Sequence, residues 1–105
     1  MLAARRHPLV KADLRAAFDW YEAQQPGLGL EFAEQFREAY RRLRRGPLHY
    51  SVRFGEVRRV NLDRFPYGIF FVVRPGEVRL LAVLHASRDT SPVLAERRRA
   101  FVFLP

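Results

Sequence analysis

The chain has 105 residues, 19 lysines and arginines against 11 aspartates and glutamates, and no cysteine. This length predicts a single domain over residues 1–105, large enough to bury a core without disulfide or metal staples. The lack of cysteine excludes a thiolate nucleophile and any metal site with cysteine ligands. The apolar run at residues 69–73 is too short to cross a bilayer and no signal peptide precedes it, so we expect a cytoplasmic protein without membrane contact.

The formal net charge of +8 predicts a partner that carries negative charge. Every basic residue except Lys11 is an arginine, whose planar group suits paired contacts with phosphate or carboxylate. A genome rich in arginine codons would explain the excess of arginine over lysine equally well. Charge alone therefore does not choose among nucleic acid, an acidic protein and a membrane surface.

The first half of the chain is typical of a helix hairpin. A short strand is predicted at residues 2–7, and helical spacing of apolar residues then predicts a helix over residues 9–25. A break at residues 26–29 precedes a second helix, which Gly46 and Pro47 end. Helices joined by so few residues run antiparallel. The core between them is expected to contain Leu14, Phe18, Phe32, Phe36 and Leu43.

The second half is typical of an antiparallel meander. A connection at residues 47–55 precedes three strands, at residues 57–62, 67–73 and 78–85, with Pro75 and Gly76 in the last turn. A short helix at residues 93–99 and an apolar tail at residues 100–105 end the chain. The expected fold is therefore α+β, with the helix hairpin packed on a twisted, mainly antiparallel sheet.

The strand at residues 67–73 is apolar on both faces, which predicts a central position in the sheet. Alternation directs Phe70 and Val72 away from the helix hairpin, so that face needs another cover. We expect a protein partner to add a helix or strand there, in contact with Phe70, Val72, Phe101 and Phe103.

Motifs for nucleotide binding, serine hydrolysis and zinc proteolysis are absent, and no two histidines have metal-ligand spacing. We therefore expect no cofactor and no metal. The remaining candidates for chemistry are basic and protic groups on or just after the strands. Arg59 is equally well explained as a solvated strand residue. His85, with Val83 and Leu81 expected on its face, is equally well explained as a structural histidine.

Several short motifs occur together over residues 8–89. They are Trp20-Tyr21-Glu22, Gln25-Pro26-Gly27-Leu28-Gly29, Arg58-Arg59, Arg64-Phe65-Pro66-Tyr67, Val83-Leu84-His85 and Arg88-Asp89. Their order and spacing resemble the RelE/ParE superfamily of toxins from type II toxin–antitoxin, or plasmid stabilisation, modules. The resemblance implies the same α+β fold and a cognate antitoxin that wraps the toxin in a hetero-oligomer. That antitoxin is the partner expected at the apolar face.

The superfamily has two kinds of target. A RelE- or YoeB-like toxin would cut mRNA on the ribosome without metal, with Arg64 on the phosphate, Arg59 as its helper and His85 as acid or base. Arg88 is the fourth candidate for that RNase site. A ParE-like toxin would instead poison DNA gyrase and has no hydrolytic site.

Two features of the sequence favour the ParE-like target. The RNA-cleaving branch usually has a tyrosine or another protic residue near the C-terminal strand, and here no tyrosine follows His85, which leaves only Ser87, Arg88 and Thr90. The Trp-Tyr-Glu and Arg-Phe-Pro-Tyr motifs also resemble ParE-like sequences more closely. We therefore expect a gyrase poison, with mRNA cleavage and non-enzymatic nucleic-acid binding as alternatives.

Overall fold

A computed structural model describes residues 2–87 and 89–101. Within those residues the elements are, in order, β1 Ala3–Arg6, α1 Val10–Gln24, α2 Leu28–Arg45, β2 Val52–Phe54, β3 Val57–Asn61, β4 Tyr67–Arg74, β5 Glu77–His85 and α3 Ser91–Phe101. A short 3-10 helix, Pro47–His49, joins α2 to β2. The predicted α+β fold is confirmed, and the ends of the predicted helices and strands shift only slightly.

The described strands form one sheet in the order β1-β5-β4-β3-β2. β1 runs parallel to β5, and the other neighbours are antiparallel. The prediction of an irregular connection at residues 47–55 is wrong in its last part, because residues 52–54 pair with β3. β2 is a three-residue edge strand in which Val52 and Arg53 are both exposed, so no apolar alternation marks it.

α1 and α2 pack together as the predicted hairpin, and a glutamate braces the turn between them. The carboxylate of Glu22 in α1 accepts hydrogen bonds from the backbone N–H groups of Gly27 and Gly29, each at 2.9 Å. These N–H groups lie at the start of α2, where a negative charge is also favoured by the helix dipole. The break is shorter than predicted because Gly29 is already helical. An added Cβ there would lie 2.9 Å from the Phe18 carbonyl oxygen.

Helices cover the sheet on both faces. On the hairpin face, which α1 and α2 cover, the core includes the fully buried Phe32 and Ile69. On the opposite face, the α3 face, Leu94 packs in one cluster with Phe70 and Val72. The predicted alternation of β4 is therefore confirmed. α3 provides the cover that the second apolar face requires.

A β-bulge in β5 changes which side chains share a face. Consecutive residues of β4 pair with Ala82 and Leu80, so Leu81 is the extra residue between them. Leu81 packs on the α3 face with Ala82, whereas Val83 packs on the hairpin face. The prediction that Leu81 shares a face with Val83 and His85 is therefore wrong, because the extra residue interrupts the period of two.

A buried ion pair joins α3 to α1 around the edge of the sheet. Among the described residues β1 pairs with β5 only as far as Leu80. Beyond that point the side chain of Asp13 in α1 binds the edge of β5. Its carboxylate accepts a hydrogen bond from the Val83 N–H at 2.9 Å and binds Arg97 of α3 at 2.5 and 2.9 Å. Arg97 also donates to the Leu81 carbonyl at 3.0 Å. Asp13 and Arg97 thus form hydrogen bonds with backbone groups at the edge of β5 as well as with each other.

Candidate functional site

Arg59 lies on the α3 face of the sheet, in β3. Its side chain crosses Gly68 of β4, where an added Cβ would lie only 2.8 Å from the Arg59 Cδ. The guanidinium carbon lies 5.9 Å from the centre of the Phe70 ring. The buried Nε of Arg59 has no hydrogen-bond partner among the described residues. Glycine at position 68 therefore leaves the space in which Arg59 lies against the sheet.

Arg64 lies in the turn between β3 and β4 and contacts α2. Its φ of +68° is in the left-handed region, which is uncommon for a residue other than glycine. One guanidinium nitrogen lies 3.0 Å from a carboxylate oxygen of Glu31 in α2. Both side chains are largely exposed, so this ion pair contributes about 0–1 kcal/mol. Arg64 is thus partnered with the hairpin.

His85 ends β5 on the hairpin face. Its ring packs edge-to-face on Tyr67, with 5.2 Å between ring centroids. The Ser87 N–H donates to His85 Nδ1 at 3.0 Å, and the Ser87 hydroxyl oxygen lies 2.8 Å from the same nitrogen. Because Nδ1 accepts a hydrogen bond, the neutral ring carries its proton on Nε2.

His85 lines a cleft of about 650 Å³ between α1 and the edge of β5. Trp20 lies at this cleft and is 58% exposed, and Tyr21 also lines it. Burial raises the pKa of Tyr21, and the neighbouring Tyr67 adds to the shift, so the phenol stays protonated at neutral pH. The cleft is therefore lined by three aromatic rings, those of Trp20, Tyr21 and Tyr67, together with the His85 imidazole.

The residues predicted for RNA cleavage are not brought together on one face. Arg59 lies on the α3 face and His85 on the hairpin face, whereas Arg64 is paired with α2. Arg88, the fourth candidate, lies outside the described residues. In the described part of the chain no group of three acidic or histidine side chains could hold a metal ion, and no helix could span a membrane.

The face predicted to bind the antitoxin is covered by this chain's own α3. Phe70 and Val72 are 3% and 0% exposed, and Phe101 of α3 packs against the same cluster. The expectation that this face is left open for a partner is therefore wrong, because α3 packs on it through Leu94 and, at its longer C-terminal end, through Phe101. Phe103 lies outside the described residues. Contact of an antitoxin with Phe70 and Val72 stays a prediction, and it requires α3 to move.

A groove along the hairpin, which the sequence pattern did not predict, combines an apolar floor with a basic rim. Its volume is about 500 Å³. The floor consists of apolar side chains from both helices, namely Leu14, Phe18, Phe32, Ala33 and Phe36. The rim is cationic and consists of Arg6, Lys11, Arg15 and Arg37.

The groove exists because the hairpin core is only partly closed. Leu14 and Phe18, both predicted as core residues, are half-buried, whereas Phe32 and Phe36 are buried. On the rim, Arg15 pairs with Asp19 at 3.3 Å, but Lys11 and Arg37 form no ion pair with any described residue. The spacing of Lys11 and Arg15, one helical turn apart beside Leu14 and Phe18, is the sequence signal that could have indicated it.

Comparison with known proteins identifies the class and then the family. Residues 4–90 match the sequence profile described as "ParE toxin of type II toxin-antitoxin system, parDE". The chain is thus a type II toxin, and it belongs to the ParE toxin family. Membership of a type II system implies an antitoxin partner.

The fold has a close counterpart among solved structures. The chromosomal ParDE toxin–antitoxin system from P. aeruginosa contains a chain that matches with a TM-score of 0.72 and 22% sequence identity. The alignment covers 81% of this chain and 96% of that chain. Likeness at this identity shows a shared fold. No curated protein matches the chain.

Proposed function

We propose that this chain inhibits growth by poisoning DNA gyrase and that a cognate acidic antitoxin neutralises it. The observation that carries the choice of target is the division of Arg59, Arg64 and His85 among different surfaces. RNA cleavage requires phosphate-binding and proton-transferring groups within hydrogen-bond reach of one phosphate. A gyrase poison needs no hydrolytic centre, so it can act with these residues apart.

mRNA cleavage is the competing function, with Arg59, Arg64, His85 and Arg88 as its catalytic residues. For that function Arg64 would have to leave Glu31, and Arg59 and His85 would have to act on one phosphate from opposite faces of the sheet. Direct nucleic-acid binding without catalysis is the third function, and the net charge of +8 is its support.

Two parallel assays with the purified protein separate these functions. In one, the protein is added to gyrase and relaxed plasmid DNA, and in the other to a translating extract with a defined mRNA. We expect loss of supercoiling with the mRNA intact. Cleaved mRNA with unaffected gyrase would contradict the proposal. Retarded plasmid migration with neither effect would favour a nucleic-acid-binding domain.

The basic-rimmed groove of the hairpin is the surface that best fits the antitoxin. Its apolar floor matches one face of an amphipathic helix, and its unpaired cations Lys11 and Arg37 match acidic side chains beside that face. The alternative surface comprises Phe70, Val72, Phe101 and Phe103. The groove is preferred because it is open, whereas Phe70 and Val72 become accessible only when α3 moves.

A charge reversal on the groove rim tests this assignment. The double substitution Lys11→Glu and Arg37→Glu should weaken antitoxin binding about tenfold at low salt, mainly through slower association. The matched control, Arg45→Glu with Arg53→Glu, changes the net charge equally at exposed positions outside the groove. If both variants lost antitoxin affinity equally, or if neither lost any, the antitoxin would bind elsewhere.

A further inference from the structure

His7 is the buried polar side chain at the joint between β1 and α1. It is 8% exposed, and its ring packs edge-to-face on Phe101 of α3, with 5.5 Å between ring centroids. The guanidinium carbons of Arg5 and Arg79 lie 5.6 and 5.9 Å from the centre of the same Phe101 ring. The C-terminal end of α3 therefore rests on β1, β5 and the His7 ring.

The backbone around His7 favours the neutral ring. The Leu9 N–H donates to His7 Nδ1 at 3.0 Å, so the proton of the neutral ring is on Nε2. A second proton would have to bind Nδ1, where it would oppose the Leu9 N–H directly. The His7 carbonyl also accepts the Val10 N–H at 3.0 Å, so this turn starts α1. Protonation therefore disturbs the joint on which α3 rests.

The charges that face His7 come from every element packed against it. Asp13 of α1 and Glu96 and Arg97 of α3 act on the His7 ring, and Arg5 of β1 and Arg79 of β5 lie against the Phe101 ring that His7 contacts. Burial and then Arg97 lower the pKa of His7 below its ordinary 6.5, and Asp13 and Glu96 offset this in part. The offset is limited because the Asp13 carboxylate already binds Arg97 and the Val83 N–H.

We propose that His7 is an acid-sensitive latch, whose protonation detaches the C-terminal end of α3 from β1 and β5 and so begins to uncover Phe70 and Val72. The latch is independent of the proposed target, because it concerns only how α3 docks on its own chain. α3 suits such a device because much of its attachment is polar: Arg97 binds Asp13, and Arg98 binds Glu56 at 3.1 Å.

The sign of the pH dependence follows from linkage. The docked state holds His7 with a lowered pKa, whereas the detached state returns it towards the ordinary 6.5. Below about that pH the detached state therefore binds more protons, and docking weakens as the pH falls. The change ends once the pH passes the lowered pKa of the docked state. Above the ordinary value the latch stays closed.

Hydrogen exchange of the full chain between pH 8 and pH 5 tests the latch, with rates corrected for intrinsic exchange. The corrected exchange rates of the amides in residues 91–101 should rise as the pH falls. The full rise should be about tenfold for each unit by which docking lowers the pKa of His7. His7→Asn should remove this response, because its side-chain oxygen can still accept the Leu9 N–H but does not titrate. The control His49→Asn, at an exposed histidine, should behave like the natural sequence.

Three results would overturn the proposal. The first is a pH-independent α3 in the natural sequence, and the second is an unchanged pH response in His7→Asn. The third is equal loss of protection in α2, because unfolding would then be global. An NMR titration of the His7 ring in the natural sequence needs no variant. A pKa below 6.5 supports the latch, and a value at or above 6.5 contradicts it.

Discussion

The hairpin face and the α3 face of the sheet are covered in different ways. On the hairpin face Phe32 packs on the rings of Tyr21, Phe65 and Tyr67, with 5.5, 5.5 and 5.1 Å between centroids. These contacts belong to one large cluster that both helices share with the sheet. Burial of apolar surface is non-directional and depends little on pH, so the stability that this face contributes should change little with pH.

On the α3 face the cover is smaller and more polar. Leu94 is 1% exposed and anchors α3, while Val93 and Phe101 are only partly buried. The Arg97 and Asp13 side chains are 11% and 10% exposed, so their ion pair is buried. Removal of one partner would leave a buried charge without a partner and would strongly destabilise the protein. Apolar packing thus holds the hairpin on the sheet, whereas α3 is held by the apolar anchor Leu94 together with ion pairs to Asp13 and Glu56.

The same division separates the candidate site residues. Arg59 shares the α3 face with Phe70, whereas His85 shares the hairpin face with Tyr67. A single phosphate cannot touch both faces of one sheet. The proposed choice of target therefore rests on the two-sided packing of the sheet.

Truncation of the central aromatic residue should give the largest effect. Phe32→Ala should lower the free energy of unfolding by about 3–5 kcal/mol, because it leaves a cavity beneath both helices. Denaturant titration measures the loss. Trp20→Ala, at an aromatic residue that is 58% exposed, should cost less than about 1 kcal/mol. Similar costs for the two would mean that the hairpin face is not the core.

Removal of one partner from the buried ion pair should come next. Asp13→Asn should destabilise the protein by about 3 kcal/mol, because it leaves Arg97 without a countercharge in a buried position. Asp19→Asn is the matched control on α1, since its pair with Arg15 is exposed, and it should cost about 0–1 kcal/mol. If Asp13→Asn cost no more than this control, charge would not hold α3.

Removal of the Glu56 carboxylate should give the smallest loss of stability, and this loss should depend on pH. Hydrogen bonding to Arg74, and then to Arg98, lowers the pKa of Glu56 below 4.5, although burial opposes the shift. Its contribution is therefore present above about pH 4.5 and is lost as the pH falls through the lowered value.

Glu56→Gln should accordingly cost about 0.5–1 kcal/mol at pH 7, discounted because the Glu56 side chain is 39% exposed. The difference from the natural sequence should shrink towards zero in acid, as thermal unfolding over a pH series would record. Glu38→Gln, in an exposed pair with Arg41, serves as the control. A cost for Glu56→Gln that grows in acid would contradict the assigned direction.

Periodicity predicted most of the fold because each major element buries at least one face. The helical spacing around Phe32 and Phe36 and the alternation around Phe70 are direct consequences of that burial. β2 was missed because an exposed three-residue edge strand buries too little to leave a pattern. The bulge at Leu81 was missed because its neighbours are apolar on both faces, so an extra residue leaves the pattern unchanged.

The candidate sites depend on tertiary contacts that a sequence pattern does not encode. Arg59 and His85 each have a predictable parity within their own strand, but their relative faces depend on pairing register and on the bulge. The groove was missed because Leu14 and Phe18 have the spacing of core residues whether or not a neighbour covers them. The ion pair of Asp13 and Arg97 joins residues too far apart in sequence for any local rule.

Growth inhibition by the double variant Arg64→Ala, His85→Ala tests the proposed target most directly. The variant must remain folded and bind the antitoxin, which circular dichroism and a binding titration establish. We predict that it inhibits growth as fully as the natural sequence, because a gyrase poison uses neither residue for chemistry. A folded, antitoxin-binding variant that no longer inhibits growth, with mRNA cleavage reduced on the order of a hundredfold or more, would contradict this account.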